Sequence, residues 1–160
     1  MTDASNPPDV FISSDALLAH WQGHRSLTRR VIEAFPAEKL FTFSVGGMRP
    51  FGELAMEMIR MGPPMVQGLV NDGWDQIPKV QARNRKALLH AWDVATDQIN
   101  RLWPQIRPGR FQEKINAFGQ YEGIGYDLML YVIDNEIHHR GQGYVYLRAL
   151  EIEPPAFYER

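Results

Sequence analysis

Four segments, each longer than twenty residues, repeat apolar side chains every three or four positions, and this periodicity constrains the fold more than any other feature of the chain. The first, "SSDALLAHWQGHRSLTRRVIEAF" at 13–35, opens with Ser and Asp oxygens able to accept from the free amides of a helix start. Leu17, Trp21, His24, Val31 and Phe35 then share one face, and Pro36 ends the segment. The second, at 49–73, begins with Pro50, which suits a first helical turn, and turns Leu54, Met58, Met61 and Met65 inward. Pro63 and Pro64 predict a kink or a split there, because a proline ring removes an amide donor and collides with the preceding turn. The third, at 80–103, carries Leu88, Trp92, Ala95, Ile99 and Leu102 and stops at Pro104. The fourth, at 124–152, runs until Glu-Pro-Pro at 153–155.

The connections are unequal. "EKLFTFSVGGMRP" at 38–50 breaks at Gly46 and Gly47, and 104–123 is a long connection with room for one short hairpin. Residues 1–12 read as a flexible leader and 13–160 as a single domain. The fold expected is all-α: a four-helix bundle with long connections, an architecture whose interior commonly houses metal or cofactor sites. A chain of 160 residues with 44% hydrophobic and 11% aromatic content can bury one substantial core.

Composition narrows the chemistry. The net charge is −2 with Lys and Arg scattered, so no phosphate-neutralising surface is expected and nucleic acid is excluded as a partner. There is no cysteine, so any metal is held by nitrogen and oxygen from His, Asp and Glu. The polar, acidic start lacks the apolar run of a secretion signal, and no segment reaches the length of a membrane span, so a cytoplasmic protein without a membrane partner is expected. No glycine-rich phosphate loop follows a strand.

On the fourth helix, Leu128, Val132, Asn135, His139, Gln142, Tyr146 and Leu150 align at helical spacing, so an inward face is interrupted by three polar residues. Asn135 and His139 stand four apart, on successive turns of one side. They read either as a hydrogen-bonded pair in the core or as two ligands of one ion. On the second helix Glu57 falls between Leu54 and Met61, where an ionised carboxylate requires a metal or a buried partner such as His139 or Arg49. His24 points inward from the first helix and is expected to line the same cavity, with His20 towards the edge. Glu136 with Arg140, and Asp134 with His138, read most simply as exposed pairs; His90 reads as solvated and the methionines as core filler.

"NEIHHRGQGYVYLRALEIEPPAFYER" and "GGMRPFGELAMEMI" resemble the closing segment and the second-helix entry of the DinB/YfiT-like four-helix-bundle family, the damage-inducible protein family. The resemblance extends from about residue 13 to 158. It implies a divalent metal site at Glu57, Asn135 and His139, where the family ordinarily carries three histidines; His138 is the other histidine of the family's pair and not usually a ligand. Characterised relatives include thiol-dependent transferases and isomerases, so the resemblance implies thiol transfer or hydrolysis on a small molecule. Zn, Ni, Mn or Fe would be the cofactor, a small molecule or a thiol cosubstrate the partner, and His24 and Glu57 the catalytic groups that move a proton. A non-catalytic bundle that binds a small molecule, or has lost metal binding, is the alternative. A homodimer is expected on general grounds, with no residue marking its interface.

Overall fold

In the computed structural model, which describes residues 11–74 and 79–160, four helices form the bundle: α1 (Ser14–Ala34), α2 (Phe51–Asn71), α3 (Arg85–Leu102) and α4 (Gly125–Ala149). Ser13 caps α1 by accepting from the Ala16 amide at 3.1 Å, and Asn84 caps α3 by accepting from Ala87 at 2.9 Å. Residues 1–10 of the expected leader lie outside the described residues. Each of α1 and α2 packs against both α3 and α4, so α1 and α2 occupy one diagonal of the bundle and α3 and α4 the other. α4 therefore faces α1 on one side and α2 on the other.

Of the kink or split predicted at Pro63 and Pro64, the split is overturned: α2 runs as one helix through both. Gly62 immediately before them has no Cβ to collide with the Pro63 ring, and both rings are buried in the bundle, where packing offsets the missing amide bonds. Gly62 also lets the Trp21 ring come close, since an added Cβ would lie 3.3 Å from it.

The connection after α3 holds two short 3-10 turns and the one hairpin that the sequence left room for, β1 (Lys114–Ala117) paired antiparallel with β2 (Tyr121–Ile124). Phe118 and Gly119 make its turn with φ of 55° and 67°, the left-handed pair that matches strand twist.

The core has two apolar halves. One gathers Val31, Phe35, Phe51, Leu54, Met58, Trp92 and Tyr146; the other gathers Leu17, Trp21, Met65, Leu69, Ile99, Trp103 and Met129. Between them, at mid-height on α1 and α4, lies a buried polar belt of His24, Arg25, Thr28, Glu136, His139 and Arg140.

Candidate functional site

Three residues singled out in the sequence meet on the α2–α4 side of this belt. Glu57 Oε1 lies 3.0 Å from His139 Nε2 and accepts from Asn135 Nδ2 at 3.2 Å. Its other oxygen, Oε2, is 2.6 Å from Arg49 Nη2. The helical spacing explains the convergence: Asn135 and His139 leave α4 one turn apart, and Glu57 leaves the second turn of α2 opposite them. Burial works to raise the Glu57 carboxyl pKa, but the hydrogen bonds from Arg49, His139 and Asn135 outweigh it and hold it below the usual carboxylate range.

The polar contacts of His139 define what the centre can accept. Gln142 Oε1 lies 2.6 Å from His139 Nδ1, while the Gln142 amide nitrogen donates to Met48 Sδ at 3.0 Å. Gln142 thus presents its acceptor to the ring, so Nδ1 carries the proton. Nε2 is turned onto the Glu57 oxygen, so the pair is bridged either by the proton of a hydrogen bond or by a cation in its place. Asn135 Oδ1 is a buried acceptor with no partner, and rotating the amide would turn it towards the same point. These donors fit a weakly held divalent ion with an oxygen-rich ligand set. Among the described residues no three His, Asp or Glu side chains cluster as a stronger site.

His24 does not join this centre. It belongs to the α1–α4 side of the belt, where Nδ1 accepts from Arg140 Nη2 at 2.9 Å and Nε2 lies 3.2 Å from His20 Nε2 and 2.9 Å from Arg160 Nη1. Burial, then the charge of Arg140, then His20 and Arg160, push its pKa down to about 4. No hydrogen bond or ion pair links it to Glu57 among the described residues. His20 is exposed beside it, and His90 is exposed on α3, as expected.

The reading of Glu136 and Arg140 as an exposed pair is also overturned, since they are only 2% and 6% exposed. Glu136 accepts from Trp21 Nε1 at 3.0 Å and from the Thr28 hydroxyl at 2.7 Å, with Arg25 Nη1 at 3.7 Å. Arg140 donates to the His24 carbonyl and to Thr28 Oγ1, both at 3.2 Å. Arg25, fully enclosed, stacks on the Trp92 ring with its guanidinium carbon 4.1 Å from the centroid. The signal for this cluster is in the sequence: Met129, Val132, Glu136, Arg140, Gly143 and Leu147 follow the same helical spacing, and they centre the buried face of α4 one residue on from the stripe first drawn.

A helical bundle with a polar centre between two facing helices is the class that fold and site define. The model of the DinB family matches residues 71–160, more than half of the chain, and the chain belongs to that family. In fold it is similar to a DinB-like protein from Bacillus subtilis, at TM-score 0.73 and 17% identity over 90% of this chain and 99% of that one. A DinB-like protein from Bacillus cereus gives the same TM-score and identity, over 90% of this chain and 97% of that one. No functionally curated protein matches. No described helix is long and apolar enough to cross a membrane.

Proposed function

We propose that this DinB-family protein acts on a small molecule at the α2–α4 centre, as a metal-dependent transferase or hydrolase with an altered ligand set of Glu57, Asn135 and His139. The observation that carries the reading is the convergence of Asn135 and His139 on one carboxylate oxygen of Glu57, with Gln142 on Nδ1 of His139 so that Nε2 faces that oxygen. A bound divalent ion would supply a Lewis acid to a thiol cosubstrate or a hydrolysable small molecule. Glu57 gives the centre its negative charge, Gln142 fixes the His139 ring, and Asn135 offers an unpaired carbonyl. Arg49, half exposed at the rim, is placed to meet an anionic substrate once it leaves Glu57. Because His24 stands apart, Glu57, kept ionised by its hydrogen bonds, is the group at this centre that could accept a proton.

Calorimetric titration of chelator-treated, untagged protein with Mn, Ni and Zn tests the reading. Binding at micromolar to millimolar concentration, lost in Glu57→Ala and strengthened at least roughly tenfold in Asn135→His, is the expected result. No binding by the native protein at millimolar metal refutes it. A second reading rests on the 2.6 Å contact of Arg49 with Glu57: the carboxylate is already neutralised, and the centre is a closed, non-catalytic one. That reading gains if Arg49→Gln binds metal and the native protein does not.

A further inference from the structure

α4 is apolar on two faces. Its inner face is buried by α1 and α2, and its outer face leaves Tyr126, Leu130, Tyr131, Ile137 and Val145 exposed. A bundle helix that meets water is ordinarily polar on that side, so a second apolar face calls for a second partner. On the same outer face lie Asp127, Asp134, His138, Gly141 and Arg148, all exposed. Gly141 is open: a Cβ added there would meet nothing within 4 Å. A groove of about 530 Å³ between α4 and residues 153–158 opens beside it, and Phe157 and Tyr158 on its rim are each 71% exposed.

We infer that this face pairs with its own copy, α4 against α4 in antiparallel array, to form a twofold homodimer. With the axis between Ile137 and His138, Asp127 stands opposite the partner's Arg148 and Leu130 opposite the partner's Val145. Asp134 then meets the partner's Gly141, where no side chain competes for space, and Ile137 meets the partner's His138. Neither Asp127 nor Arg148 has an ion-pair partner within 4.0 Å among the described residues of one chain, and this register gives each of them one, twice over. Sliding the helices by a turn either way sets Asp134 against the partner's Ile137 or the partner's Val145 and separates Asp127 from the arginine. Charge complementarity therefore selects both the occupant and the register.

Sedimentation velocity over a concentration series tests the pairing, with circular dichroism confirming that each variant is folded. The native chain should sediment as a dimer, and Leu130→Glu, a change at an exposed position, should sediment as a monomer. Asp127→Arg and Arg148→Asp should each raise the dimer dissociation constant roughly tenfold, and the double exchange should recover most of the loss. A native monomer at about 100 μM, well above the range of specific complexes, overturns the dimer. A Leu130→Glu dimer overturns this face, and a double exchange no better than the singles overturns the register.

Discussion

Replacing Glu136 tests whether the polar belt is held together as described. Its carboxylate is 2% exposed and serves Trp21 Nε1, the Thr28 hydroxyl and the guanidinium of Arg25, which is itself 1% exposed. Arg25 Nη1 makes no hydrogen bond, so the Glu136 charge is its only compensation on that side. Glu136→Ala leaves the buried guanidinium without its ion-pair partner, and breaking a buried pair in this way costs about 3–5 kcal/mol. For a domain of this size that lowers the melting temperature by roughly 6–20 °C. Glu136→Gln keeps the volume and an acceptor for one of the two donors, so it should cost about half as much. Urea denaturation followed by circular dichroism would show the midpoint fall with an unchanged slope. The combined change Glu136→Leu with Arg25→Met removes both charges and should recover most of the loss, less the stacking of Arg25 on Trp92. A Glu136→Ala variant within about 1 kcal/mol of the native chain, or a double variant no more stable than the single, would refute the reasoning.

Acid should act through His24. Its folded pKa of about 4 lies below the ordinary 6.5, so the unfolded chain binds more protons in that window, and stability falls as the pH drops from 6.5 through 4. The full difference is about 3 kcal/mol, read as a fall in the urea midpoint that His24→Gln should flatten. Gly143→Ala should destabilise by about 1–3 kcal/mol, because the new Cβ would lie 2.5 Å from the buried Phe51 ring; an unchanged melting temperature would contradict that packing.

The four helices were legible because their apolar spacing is long and unambiguous, and Trp21, Trp92, Val132 and Tyr146 are buried as that spacing requires. Glu57 was legible for the same reason, as a carboxylate on an inward stripe, and both partners suggested for it are present. Pro63 and Pro64 misled because the local rule ignores what surrounds the rings; burial by neighbouring helices decides the matter. Glu136 and Arg140 misled because opposite charges four apart are the usual mark of a solvated face. Their true partners, Trp21, Arg25, His24 and Thr28, lie more than a hundred residues away in sequence, and no local spacing encodes that meeting. His24 was placed inward correctly, but it meets α4 from the α1 side while Glu57 meets α4 from the α2 side, and which side each helix occupies is a property of topology.

The division of the apolar core has a consequence for how such a chain can change over time. Hydrophobic cohesion is stored in two separate reservoirs, one towards each end, and the polar centre sits on the shelf between them. An exchange at 57, 135 or 139 swaps one polar group for another on that shelf and draws on neither reservoir. The bundle can therefore remain folded while the polar groups at these three positions are exchanged.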